Sequence, residues 1–258
     1  MKIYSAFKFV HEEQDIVVKS DRSLDLSKAT VKVSPFDLNA IEAACELKAQ
    51  VADTEVVALS VGGRLLANPK ARKDVLSRGP DSLLLVQDEA YEGLRPNETA
   101  KILAATLKSK GFDLVLCGNG SADVYAQQTG MLLGEYLGVP AINGVSKIVS
   151  CDGAKLVVER GLENEVETLE ISLPAVVSVS ADINEPKIPA MRAILAAAKK
   201  PVEVLDAAAL GVQPGEALVK VGSVLAQAQK DRQQVVIEGD DDESIARFVE
   251  QIRKAIAA

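Results

Sequence analysis

The chain has 258 residues, of which 48% are hydrophobic and only 3% aromatic, enough to bury a substantial aliphatic core as one α/β domain with a smaller appendage. A formal net charge of -8 and a pI near 4.9 set the chain against a phosphate backbone, so no nucleic-acid partner is expected. Three cysteines at unrelated spacings give neither a disulfide framework nor a metal motif; no apolar run is long enough to span a bilayer and the N-terminal stretch lacks a leader's pattern, so a cytoplasmic protein without membrane insertion is expected.

In chain order, short apolar strands are expected at 2–10, 55–61, 82–87 and 113–117, alternating with helices in the manner of a βαβ-built parallel sheet. The first helix opens at Ser34-Pro35-Phe36-Asp37, with Ser34 as cap, Pro35 at the first helical position and Asp37 in the first turn. Leu38, Ile41, Ala44 and Cys45 form its buried stripe. A second helix runs over 97–110, capped by Asn97 and closed by Gly111. A third begins near Asp123 and ends at Gly138, just before Pro140. Beyond it the period changes to two: 155–160 and 167–173, separated by an acidic turn at 162–165, read as a β-hairpin. A last strand is expected at 174–180 and a break at 182–186. Past Pro201 alternation fades, 211–222 resembles an extended arm, and a helix over 242–257 carries Ile245, Phe248, Val249, Ile252 and Ile256 on one stripe. An apolar helix beyond a polar arm needs a surface to cover, and another chain is one source of it.

The stretch from Cys117 to Gly130, with Gly118, Asn119, Gly120, Ser121, Ala122 and Asp123 at its start and Ala126, Gln127, Gln128 and Thr129 at its end, carries the chemistry. It joins a buried strand to a helix, and the amides of such a loop and helix start can hold phosphate oxygens. Ser121, Gln128 and Thr129 add side-chain donors. In a parallel sheet the ligand crevice lies beyond the carboxyl ends of the strands, so Ala6, Phe7 and Lys8, Ser34 to Asp37, and Val61 with Gly62 can converge on the same place. A nucleotide pocket and a purely structural glycine turn are both open on these grounds. The glycine spacing matches neither a Walker loop nor G-x-G-x-x-G. His11 reads as an exposed loop residue, Cys117 as a small buried hydrophobe without a base, and Asp123 as a loop or cap residue. No catalytic residue and no metal site is expected.

Residues 6–8, 34–37 with Ala40, Glu42 and Ala43 in the helix that follows, 118–130, 158–160, 173–177 and 184–200, in that order, resemble the β subunit of the electron transfer flavoprotein family, and 13–16, 72–80 and 125–128 resemble its FixA-type bacterial branch. The resemblance implies a Rossmann-like fold of the adenine nucleotide alpha hydrolase kind, a parallel sheet with helices on both faces. It implies a domain over 1–200, holding the hairpin at 154–173 and a recognition element at 187–200, and an arm and helix over 201–258 that pack on a partner. It further implies AMP or a second FAD in the pocket lined by Ala6, Phe7, Lys8, Ser34, Pro35, Asp37, Val61, Gly62 and the 118–129 loop. The main FAD is shared with an α subunit, its ring covered near 11–15, where many members carry a Tyr that this sequence lacks. Pro189, Met191, Ile194, Lys199 and Lys200 correspond to the element that grips a flavin-dependent acyl-CoA dehydrogenase, with Met191 as anchor; the alternative is an amphipathic helix packed on the sheet with Met191, Ile194 and Leu195 in the core, and the sequence itself favours packing for Leu195 and docking for Met191. The function implied is electron relay, in anaerobic carnitine-type metabolism by resemblance to the FixA branch. The rival is a stand-alone ATP- or AMP-binding sensor of the universal-stress type, which has no need of the hairpin, the recognition element or the arm; a bare assembly subunit is the third reading.

Overall fold

The computed structural model describes residues 1–212, 218–228 and 234–257. They form two compact units, Met1–Val17 with Asp25–Ser223, and Val18–Leu24 with Val224–Ala258.

The first unit is built on a nine-stranded sheet. Its strands are β1 (Lys2–Ala6), β6 (Glu55–Gly62), β7 (Ser82–Gln87), β8 (Leu114–Gly118), β9 (Ala141–Cys151), β10 (Lys155–Gly161), β11 (Val166–Ser172), β12 (Ala175–Val179) and β13 (Val202–Leu205). The order across the sheet is β11-β10-β9-β12-β8-β1-β6-β7-β13. The pairings from β9 to β13 are parallel, whereas β10 and β11 run antiparallel at one edge. Four short strands lie outside it: β2 (Phe9–His11) pairs with β5 (Val31–Val33), and β3 (Val17–Val18) with β4 (Leu24–Asp25).

Helices cover both faces. α1 (Pro35–Gln50), α2 (Pro69–Ser77) and α5 (Met191–Ala197) supply apolar residues to one side, α3 (Pro96–Lys110) and α4 (Thr129–Leu137) to the other. β8 explains why its strand reads as an unbroken apolar run. Leu114 and Leu116 join the α1 side while Val115 and Cys117 join the α3 and α4 side, so no position faces water. The hairpin differs: Leu156, Val158 and Ile171 are buried and their neighbours exposed or half-buried, which is the period of two seen in the sequence. Lys155–Glu170 and Arg160–Glu167 pair across it, at 2.6 Å and 2.6 Å. A short helix α6 (Ala207–Leu210) follows β13.

Several boundaries move. The expected strand over 2–10 is two: β1 ends at Ala6, and Phe9 to His11 turn away to pair with β5. His11 is therefore a half-buried strand residue and not an exposed loop residue. The second expected helix starts one residue earlier, at Pro96, and its cap is Arg95, whose amide donates to Glu98 Oε2 at 2.9 Å; Asn97 lies inside the first turn. α4 starts at Thr129, not near Asp123, and closes as expected on Gly138 in the left-handed region. Two strands of the nine-stranded sheet were not foreseen, β9 and β13, nor were the short β3, β4 and β5 outside it.

The second unit contains α7 (Asp242–Ala257). Asp241 opens it, its Oδ1 accepting from the amides of Glu243 and Ser244 at 3.0 Å and 3.0 Å, and the acidic start suits the helix dipole. Ile245, Phe248, Val249, Ile252 and Ile256 all stand exposed. In this unit the Ala226 amide donates to the Arg22 carbonyl at 2.9 Å. Part of the expected 211–222 arm, residues 213–217, lies outside the described residues; Leu218 to Gly222 have no regular structure.

Candidate functional site

Strand order fixes where a ligand crevice opens. From β1 the chain steps outward through β6 and β7, then crosses back to place β8 on the other side of β1. Between the carboxyl ends of β1 and β8 the connections leave in opposite directions, and that is where open α/β sheets bind their ligands.

Asp37 ties the two strand ends together. It sits in the first turn of α1, almost fully buried. Its Oδ2 accepts from the Lys8 amide at 2.8 Å and its Oδ1 from the Gly118 amide at 3.2 Å. Burial pushes this carboxyl up to about 7, against the opposing pull of the two amides and of Lys8. Gly118 is required by this packing, because a Cβ there would lie 2.5 Å from Asp37 Oδ1 and 2.7 Å from the Phe36 carbonyl carbon.

Ser34 precedes α1 but does not cap it with its side chain. Its hydroxyl instead accepts from the Ala122 amide at 3.3 Å, so the residue read as a helix cap holds the loop over β1. Lys8 reaches the same loop through an ion pair with Asp123 Oδ2 at 2.6 Å. Asp123 also accepts from the Ser121 hydroxyl at 2.6 Å and the Val124 amide at 2.8 Å. Burial would raise the Asp123 carboxyl, yet the hydrogen bonds from Lys8 and Ser121 hold it below its ordinary value. It caps no helix, since α4 begins six residues on.

The remaining expected residues fall at varying distance from this centre. Ala6 ends β1 and Pro35 starts α1. The Phe7 ring is buried against Phe9 at 5.1 Å, leaving only its backbone toward the crevice. Val61 and Gly62 end β6 on the far side of β1, joined to it by Phe7 N to Leu59 O at 2.9 Å and Ser60 Oγ to Phe7 O at 2.6 Å. Among the described residues no hydrogen bond joins Val61 or Gly62 to the 118–129 loop. Ala126, Gln127 and Gln128 form the approach to α4, with Gln127 at φ 56°, and Thr129 is its first residue.

The loop retains free donors. Gly118, Asn119, Ala122, Val124 and Tyr125 spend their amides within the protein, whereas those of Gly120, Ser121, Asp123, Ala126, Gln127 and Gln128 have no partner among the described residues. The Asn119 Oδ1 is buried and likewise unpaired, a costly arrangement without a donor to meet it. Unspent amides at a helix start, one cation and an orphaned acceptor suit an anionic group joined to a donor-bearing base.

Three contributors were not found from sequence. The Val179 carbonyl at the end of β12 accepts from the Asn119 amide at 2.8 Å. Ser178 leaves no room for a side chain at residue 130, where a Cβ on Gly130 would meet its Oγ at 2.1 Å. Tyr125, at φ 49°, sets its ring 5.2 Å from that of Phe36 and against Gly120. The position of residues 178 and 179 at the end of a parallel strand was the available signal for the first two. Cys117 is buried below the loop, where burial pushes its thiol up to about 12, the state of an inert core residue.

A family model, that of the electron transfer flavoprotein domain, matches residues 24–210. The chain belongs to the electron transfer flavoprotein family. The matched span of this electron transfer flavoprotein domain takes in α1, the 118–129 loop, the hairpin and α5. In α5 and the segment before it, Ile188, Met191 and Leu195 are exposed by 92%, 71% and 64%, so Leu195 does not pack inward as expected; Ala197 does. Pro189 and Ile194 are half-buried and Lys199 is exposed. Lys200 is no free cation: its Nζ donates to the carbonyls of Leu76 at 2.9 Å and Pro80 at 2.6 Å. Among the described residues no helix of the domain is long and apolar enough to cross a membrane.

Proposed function

We propose that the chain is the β-type subunit of an electron transfer flavoprotein of the FixA-type branch, binding AMP or a second FAD and working in the cytoplasm. The observation that carries this reading is the meeting of Lys8, Ser34 and Asp37 with the unspent amides of residues 120–128 at the point where β1 and β8 diverge. Gly120, Ser121 and the start of α4 would hold the phosphates, Lys8 would trade Asp123 for a phosphate oxygen, and Asn119 Oδ1 would accept from the base. Flavin, when bound, supplies the electron-transfer chemistry; this chain binds, orients and covers it.

The exposed apolar face of α7 fits an α subunit that holds the main FAD, and the exposed row of Ile188, Met191 and Leu195 fits a flavin-dependent acyl-CoA dehydrogenase or reductase, with carnitine-linked anaerobic metabolism as the setting. A stand-alone nucleotide sensor would leave both faces without use.

The test is the stoichiometry of nucleotide released from the heterodimer purified with its α subunit. One flavin with one AMP is the expected count for simple carriage, and two flavins without AMP for a bifurcating carrier. A heterodimer that releases neither AMP nor a second flavin overturns the reading.

A further inference from the structure

α1 carries two polar side chains that the nucleotide pocket does not use. Asn39 and Glu42 are each 5% exposed, and both reach the segment between β12 and α5. Asn39 Nδ2 donates to the carbonyls of Ala181 at 3.1 Å and Asn184 at 2.8 Å, and Asn184 Nδ2 returns a bond to the Asn39 carbonyl at 3.1 Å. Glu42 pairs with Lys187 Nζ and accepts from the Lys187 amide at 3.3 Å. Residues 181–190 have no helix or strand of their own, so these bonds to α1 supply an order that secondary structure does not.

Their position along the chain gives them a purpose. Lys187 immediately precedes Ile188, the first of the three exposed apolar residues. At the other end of the row, Ala197 is buried against α2 and Lys200 is tied to the Leu76 and Pro80 carbonyls. The row is thus fixed at both ends and bare between them, the form of a presented surface. A buried carboxylate paired with one lysine adds little stability over an apolar pair, and its best-attested use is to fix geometry.

We propose that Asn39 and Glu42 are positioning residues for the docking element, holding Ile188, Met191 and Leu195 in place from the same helix whose first turn builds the nucleotide pocket. The inference rests on the docking reading above and deepens it. It also joins the two sites through one rigid element, because Ser34 and Asp37 of the pocket and Asn39 and Glu42 of the clamp lie within three turns of one another at the start of α1.

Hydrogen exchange on the purified heterodimer tests the clamp. Glu42→Gln and Asn39→Leu are expected to speed exchange at 184–195 about tenfold while α4 is unchanged. Lys187→Met, a change at an exposed side chain, is expected to do the same without risk to folding, and Lys187→Arg to restore wild-type exchange. With a purified acyl-CoA dehydrogenase reduced by its acyl-CoA substrate, the variants that loosen the segment are expected to raise the KM for the carrier about tenfold at constant kcat and constant nucleotide content. Unchanged exchange or unchanged KM in all three overturns the proposal. Met191→Glu separates the two readings: if it raises KM while the clamp variants do not, docking stands and the clamp falls; if it leaves KM unchanged, the docking reading itself falls.

Discussion

Asp37 spends both carboxylate oxygens on backbone amides at the ends of two strands, so one side chain sets the width of the crevice. Its pH behaviour follows from burial. The carboxyl titrates at about 7 in the folded chain against an ordinary 3.8, so between these values the native state binds more protons than the unfolded one. Stability then falls as pH rises from about 4 to about 7 and levels off above, by at most about 4 kcal/mol. Asn at this position cannot ionise. Urea denaturation across that range should therefore show wild type losing ground to Asp37→Asn as pH rises; a constant difference would remove Asp37 as the titrating group. Ser34 teaches the limit of local rules. Its place before Pro35 identifies a helix start, yet its hydroxyl bonds to Ala122, 88 residues away, and only the assembled sheet brings that amide within reach.

At the scale of elements, α4 is held by close approach. A Cβ on Gly134 would lie 2.3 Å from the Ala141 Cβ of β9. Alanine gains about 1 kcal/mol in helix propensity, but overpacking costs about 1–3 kcal/mol, so Gly134→Ala should destabilise the chain by about 1 kcal/mol in a denaturant titration. Elements that were legible in the sequence have a plain period: β6, β7 and β8 are apolar on both sides, and the hairpin alternates. β9 was hidden because Asn143-Gly144 reads as a turn; Gly144 does adopt φ 70°, but within a strand that shifts register against β12 between Val177 and Val179. β13 was hidden because its four residues include two exposed valines and a glutamate on an edge. The start of α4 was misplaced because Asp123 has the chemistry of a cap and uses it on Lys8, Ser121 and Val124.

For the whole molecule, the sheet could be read from sequence, whereas the way strand ends meet at the proposed pocket could not. The proposed pocket depends on β8 returning beside β1 after two strands on the other side, a long-range outcome with no local signature. The α7 helix was legible to its last residue because its stripe is apolar at helical spacing, and that stripe remains exposed. If it meets an α subunit, Phe248→Asp should cut co-purification with that subunit at least tenfold while the thermal transition of the nine-stranded unit stays in place. Retained co-purification would assign α7 another purpose.

The two rims of the sheet bear on how this chain avoids its own copies. Among the described residues β11 and β13 have no strand on their outer sides, and such edges invite strand addition. Glu167, Glu170 and Glu203 stand along those rims, each already matched to a cation of its own chain, so an approaching copy meets carboxylates where fibril growth needs bare, uncharged strand. A newly made copy is guarded against self-association, and on the β11 rim the guards are the residues that staple its hairpin.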